Sequence, residues 1–170
     1  MAKAKKKSTS GGKTSARFGS INLKKVSETL NEILKEELAG VVRYTHYSMM
    51  VYGYGRIPIV SWFRSQANEA LTHAQEAGEL LTTMGEHPSL QIGHLLESHQ
   101  HDIGDILRES LEMEGVALEL YKKLLGLVEG KNVMLEEYAR QMVYAEELHR
   151  GEVDKMLRRP GDFASVIHGK

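Results

Sequence analysis

Apolar residues recur at helical spacing in four long stretches of this chain, and glycine or proline marks the junctions between them. The first stretch, about residues 22–52, carries Leu30, Ile33, Val41, Tyr44, Ser48 and Val51 along one face and stops at Gly53-Tyr54-Gly55. The second, about 58–84, opens on Pro58, which suits an early helical position, and carries Trp62, Gln66, Ala70, His73, Ala77, Leu80 and Met84 before Gly85. A polar, histidine-rich segment follows at 86–101. The third stretch, about 102–128, carries Ile103, Leu107, Leu111, Leu118, Tyr121 and Leu125, then breaks at Gly130. The fourth, about 132–159, carries Leu135, Tyr138, Met142, His149, Val153 and Met156 before Pro160-Gly161. Each has about 27–31 residues, or about 40–45 Å of helix at 1.5 Å per residue. Tight turns join the first to the second and the third to the fourth, while the longer middle segment can run the length of a bundle. The pattern predicts an all-α, antiparallel four-helix bundle over residues 21–160, with one long crossover between its second helix (B) and third helix (C).

Composition narrows the chemistry. The chain has no cysteine, which excludes disulfide scaffolds, thiolate nucleophiles, zinc ribbons and iron–sulfur clusters. Any metal must be held by histidine and carboxylate. No stretch approaches the ~20 apolar residues that span a membrane, and the N-terminal segment lacks the apolar run of a secretory signal, so a cytoplasmic location is expected. The net charge of −1 is a near-cancellation. Residues 1–17 hold Lys3, Lys5, Lys6, Lys7, Lys13 and Arg17 with no acid, a charge of +6, and the remainder sums to −7. Rich also in Ser, Thr and Gly, this start is expected to form a disordered basic tail over residues 1–20. Residues 161–170 are expected to form a short C-terminal tail.

The informative positions are polar residues where the helical period demands core. Glu37 falls in the stripe Ile33–Glu37–Val41–Tyr44, and Glu114 in Leu111–Glu114–Leu118–Tyr121. His73 follows Gln66 and Ala70, and Glu146 and His149 form a Glu-x-x-His pair between Met142 and Val153. A lone histidine in a stripe is usually a hydrogen-bonded core residue. Isolated buried carboxylates, however, cost several kcal/mol each unless they are neutralised, and a cluster of them with imidazoles around divalent cations removes that cost. Glu37 precedes His73 by 36 residues and Glu114 precedes His149 by 35, so the two hairpins look like versions of one unit. Iron or manganese suits this mixture of oxygen and imidazole nitrogen, and zinc can also bind. Surface acids such as Glu36, Glu136 and Glu137 read as a solvated face, and the crossover histidines His87, His94, His99 and His101 as a solvated loop, with a secondary metal or pH-sensitive site as the alternative.

At these residues the sequence resembles the ferritin-like superfamily, most closely the bacterioferritins. Their pattern is a helix-A Glu, a helix-B Glu-x-x-His, a helix-C Glu and a helix-D Glu-x-x-His. These map onto Glu37, position 70 with His73, Glu114, and Glu146 with His149, across about residues 22–160. Tyr44 falls two turns after Glu37, where a site-adjacent tyrosine is common in the family. Two positions depart from the pattern. Ala70 stands where the bridging carboxylate belongs, and the nearest acid is Glu69. In a regular helix Glu69 and Ala70 flank His73 on opposite sides by about 40° and 60°. Glu69 either approaches from the other side or is moved into register by a one-residue π-bulge; otherwise five protein ligands remain. Leu71 stands where bacterioferritins place a haem-ligating methionine, so no haem is expected.

The resemblance implies a ferroxidase: a di-iron centre at Glu37, Glu69, His73, Glu114, Glu146 and His149, with Tyr44 beside it. It would oxidise Fe(II) with dioxygen or peroxide and store ferric product inside a hollow homo-oligomer. Bacterioferritins form 24-mers with a fifth helix, for which this chain has too few residues after Pro160, so a twelve-subunit shell is the other expectation. The lysine-rich start resembles the tails of some DNA-protecting mini-ferritins of the Dps group, which implies non-specific DNA binding through residues 1–17. The Dps group, however, builds its metal site between subunits. A di-metal peroxidase or catalase without storage is the remaining alternative.

Overall fold

The computed structural model describes residues 18–95 and 98–167. Four α-helices form the predicted bundle, and no strand occurs among the described residues: α1 spans Leu23–Met50, α2 Arg56–Thr83, α3 Ile103–Val128 and α4 Val133–Leu157. The basic residues 1–17 lie outside the described residues. No helix of the described residues is long and apolar enough to cross a membrane.

Local chemistry fixes the helix ends. Asn22, Asp102 and Asn132 each accept a backbone N–H of the first turn, from Lys25 (3.1 Å), Gly104 (2.8 Å) and Leu135 (3.0 Å). Side-chain caps of this kind contribute about 1 kcal/mol each. α2 starts two residues before Pro58, because the first-turn N–H groups have no helical partner and a proline there sacrifices nothing. It ends in a Schellman turn: Gly85 adopts a left-handed φ of 81°, its N–H bonds Thr82 O at 2.9 Å, and the Glu86 N–H bonds Leu81 O at 2.9 Å.

Side-chain pairs define the topology. Tyr44–Glu114, Tyr47–Glu109 and Tyr121–Glu37 match rising positions on α1 with falling positions on α3, so these helices run antiparallel. The segment 84–102 must therefore traverse the bundle's full length. It is laced to α1 on the way: Ser89 N donates to Asn31 Oδ1 at 2.7 Å, and Gly93 N to Lys35 O at 2.8 Å. α1 packs on α2, α3 on α4 and α1 on α3, whereas α2 and α4 approach each other less closely.

The apolar core has two parts. One gathers Leu30, Ile33, Ala77, Leu81, Leu124 and Leu135; the other gathers Tyr44, Tyr47, Phe63, Ile106, Leu107 and Val153. Phe18, expected in the tail, is only 2% exposed and joins the first part, because a phenylalanine flanking a capped helix recovers apolar area by packing down. The residues after α4 also fold back. Asp154, 1% exposed, accepts from Arg158 Nε (2.8 Å), Ser165 Oγ (2.8 Å), Val166 N (2.6 Å) and Ile167 N (3.1 Å). Burial pushes this carboxyl upward, but the Arg158, Ser165, Ile167 and Val166 donors outweigh burial and hold it at about 2.

Asp154→Ala is expected to release residues 163–167, with a loss of about 1–3 kcal/mol and faster tryptic cleavage after Arg158. Since the native carboxyl lies below its unfolded value, this stabilisation is full above about pH 4 and disappears as pH falls toward about 2. Thermal melts of wild type and variant over that range check both points.

Candidate metal centre

Between the two apolar parts lies a polar layer. α1 supplies Glu37, α2 His73, α3 Glu114 and α4 Glu146, none more than 9% exposed, and His149 of α4 lies half-buried beside them. Glu37, His73 and Glu146 offer donor atoms within 4.8 Å of one another, and Glu114, Glu146 and His149 form a second such group. Glu146 belongs to both. His73 Nδ1 faces Glu37 Oε1 at 3.6 Å and Glu146 Oε1 at 3.7 Å, and the His73 and His149 rings lie nearly parallel, 6.5 Å apart. These residues enclose a cavity of about 20 Å³, further lined by Gln66, Ala70 and Met113. A cavity of that size admits an ion or a water.

Two tyrosines hold the α1 and α3 carboxylates reciprocally. Tyr44, seven residues after Glu37, donates to Glu114 Oε1; Tyr121, seven residues after Glu114, donates to Glu37 Oε1 at 2.7 Å. Burial, then the bonded carboxylate, drives both phenols well above their ordinary range, so both stay protonated donors. The sequence reading assigns Tyr121 to the core alone. Its signal was the same seven-residue offset that drew attention to Tyr44.

The five expected positions converge, and Glu69 reaches the cluster as well. α2 is uninterrupted α-helix through 66–74, without a π-bulge, so Glu69 approaches from the far side of His73. Its Oε1 lies 3.2 Å from His149 Nε2, and its side chain is 40% exposed at the seam between α2 and α4. The alanine at 70 has a packing reason. A Cβ on Gly40 would sit 3.3 Å from the Ala70 methyl, so α1 and α2 meet there through their smallest residues.

Glu36 corrects the reading of a solvated face. It is half-buried, lines the same cavity and lies under the crossover, where a Cβ on Gly93 would fall 2.5 Å from its Oε1. Burial raises its pKa. On His73, burial opposes the charged form, but Glu37, Glu69 and Glu76 outweigh it and raise the pKa.

Residues 27–160 match the ferritin family's ferritin-like domain. No curated protein sequence matches the chain. Among solved structures, it is similar to a ferritin-like, diiron-carboxylate protein from Bacillus anthracis str. Ames (TM-score 0.71, 24% identity, covering 80% of this chain and 97% of that one). It is similar also to the dodecameric thioferritin, a bacterioferritin-related protein, from Bacteroides fragilis (TM-score 0.76, 21% identity, 81% and 86% covered). A third similar structure is Rhodobacter capsulatus bacterioferritin (TM-score 0.70, 20% identity, 79% and 84% covered). At these identities the likeness is one of fold, and the match over 27–160 adds the family: this chain belongs to the ferritin-like domain family.

Proposed function

We propose that this chain is an iron-storing ferritin with an intrasubunit ferroxidase site, Fe(II) being its substrate. The observation that carries this reading is the pair of three-donor groups sharing one buried carboxylate. The fit is chemical as well as spatial: Glu146 Oε2 is buried without a hydrogen bond, and carboxylate oxygens with imidazole nitrogens form a donor set suited to iron. Glu37, His73 and Glu146 would hold one ion and Glu114, Glu146 and His149 the other, with Glu69 at the open side. When bound, the ions supply the electrons for reduction of dioxygen or peroxide. The protein's part is to keep the cavity small, to fix Glu37 and Glu114 through Tyr121 and Tyr44, and to leave a path along the α2–α4 seam. Leu71, 41% exposed, offers no axial ligand, so the proposal includes no haem.

Storage requires a closed homo-oligomer. The Bacteroides fragilis neighbour is dodecameric, which supports twelve subunits. Met49 on α1 and Leu90, Ile92 and Leu95 on the crossover are exposed apolar side chains that contacts between copies would cover. The charge segregation favours a second property: the +6 segment at 1–17, repeated on every subunit, would bind DNA phosphates avidly and without sequence preference.

Aerobic Fe(II) is expected to be oxidised faster than in buffer and to build a ferric core. Glu146→Ala should slow that oxidation at least about tenfold; unchanged kinetics would place the chemistry elsewhere. Metal-free protein gives an independent check. Burial, then Glu114, Glu37 and Glu69, push the Glu146 carboxyl far above the carboxylate range. A raised carboxyl weakens the fold increasingly as pH climbs above its unfolded value of 4.5. Glu146→Gln should therefore raise the metal-free melting temperature at pH 7, by about 2–4 °C per kcal/mol recovered. The gain should shrink toward pH 5, and the variant should lose stabilisation by added metal. Deletion of residues 1–17 is expected to abolish a salt-sensitive gel shift of duplex DNA; equal binding by both forms would remove the tail's role.

A further inference from the structure

The residues that precede α1 run back to the other hairpin rather than away from the bundle. Gly19 has a left-handed φ of 71° and passes so close to the α3–α4 turn that a Cβ would fall 2.8 Å from Lys131 O, so glycine alone fits there. One residue earlier, Phe18 O accepts from Asn132 Nδ2 at 3.3 Å, and the Phe18 side chain is buried in the apolar part around Leu30 and Leu135. Residues 1–17 are therefore delivered at the first turn of α4. A groove of about 470 Å³ between α2 and α4 starts two residues beyond Asn132, at Met134. Leu80, Met134 and Tyr138 give it apolar surface, the exposed acids Glu76, Glu79 and Glu137 surround that surface, and no lysine or arginine lines it. An acidic groove thus begins where a segment with six cations and no acid joins the bundle.

We propose that residues 1–17 dock along the α2–α4 groove of their own subunit. The reach is sufficient. Lys13 lies five residues before Phe18 and extends about 17 Å from it, while the length of α2 that borders the groove, residues 72–83, is about 16 Å. The chemistry matches as well, because a lysine lays its methylene stem on apolar surface and keeps its ammonium at the polar edge. Leu80, Met134 and the Tyr138 ring offer the surface for such stems, and Glu76, Glu79 and Glu137 the charge for the ammonium groups. Glu69 stands on the same seam one turn of α2 before residue 72, so a docked segment brings positive charge toward the open side of the metal centre. Docking requires neither the ferroxidase reading nor the DNA reading above. It sets a competition, since lysines held in the groove are withheld from any polyanion.

The test uses the full-length protein and a carbodiimide, which joins a lysine amine directly to a carboxylate in contact with it. Peptide mass spectrometry should find residues 1–17 linked to Glu76, Glu79 or Glu137 in material that runs as a single subunit on a denaturing gel. The same links confined to the band of two joined subunits would mean that a neighbour's segment fills the groove, and would overturn docking on the segment's own subunit. Links from the segment to acids elsewhere, with none in the groove, overturn it altogether. Limited trypsinolysis after Lys13 supplies a second readout without chemical modification. The variant Glu76→Gln/Glu79→Gln/Glu137→Gln should be cut there at least about threefold faster than wild type at about 0.1 M salt, because cleavage follows the undocked population. A control that removes the same charge from other faces, Glu28→Gln/Glu112→Gln/Glu152→Gln, should be cut at the wild-type rate. The advantage of the groove variant should vanish near 1 M salt, where the Debye length falls from about 10 to 3 Å. Equal cleavage of wild type and groove variant at 0.1 M, or equal acceleration in the control, removes the groove as the docking site.

Discussion

Burying Glu37, Glu114 and Glu146 at one level of a four-helix bundle sets the terms for the rest of this molecule. Each is at most 6% exposed, and carboxylates in such surroundings cost several kcal/mol apiece unless protons or cations neutralise them. The hydrophobic core accordingly forms in two parts, one on either side of the polar layer. The parts bear the stability that the middle gives up. Leu30, Leu81 and Leu124 on one side and Phe63 and Ile106 on the other are fully buried, and side chains of this kind contribute about 1.5–3 kcal/mol each. The buried polar layer is thus suspended between two conventional helix-packing cores.

Register follows from the same layer. Tyr44 reaches Glu114 and Tyr121 reaches Glu37 because α1 and α3 run antiparallel and each tyrosine sits two turns beyond its own helix's glutamate. A slip of one helical turn would break both bonds together and leave two carboxylates and two phenols buried without partners. The reciprocal pair therefore opposes sliding more strongly than apolar contacts could, since an apolar stripe repacks after a one-turn shift at little cost. The crossover is bound by the same geometry. It must return along the bundle, and its bonds at Ser89 and Gly93 tie it to α1 over the outer side of the cavity, beside Glu36.

Much of this was legible in the sequence, for identifiable reasons. The four helices follow from stripes that repeat every three to four residues, and their junctions from the glycines and prolines between them. Glu37, His73, Glu114, Glu146 and His149 stood out because a charged residue in an apolar stripe is conspicuous. Tyr121 did not, because a tyrosine suits a core position with or without a carboxylate opposite, and only the fold brings Glu37 to its hydroxyl. Glu36 read as surface because the crossover that covers it is distant in sequence and carries no periodicity. The clamp on Asp154 was hidden for a similar reason: its donors are two backbone N–H groups, a serine and an arginine, none of which marks a partner in advance.

The substitution at position 70 has a consequence beyond the loss of a ligand. Where the bacterioferritin pattern would put a carboxylate inside the α1–α2 contact, this chain has a methyl against Gly40, and the nearest acid, Glu69, comes in along the α2–α4 seam instead. The two donor groups become unequal. Glu37, His73 and Glu146 are all buried, whereas the second group includes the half-buried His149, whose Nε2 faces the 40% exposed Glu69. A cation in the first position would be enclosed by the bundle. One in the second would be held partly by a side chain that already stands in solvent and can swing away without disturbing the core. Exchange of ions should therefore run through the second position, on the side of the bundle where α2 and α4 pack less closely than the other neighbouring helices.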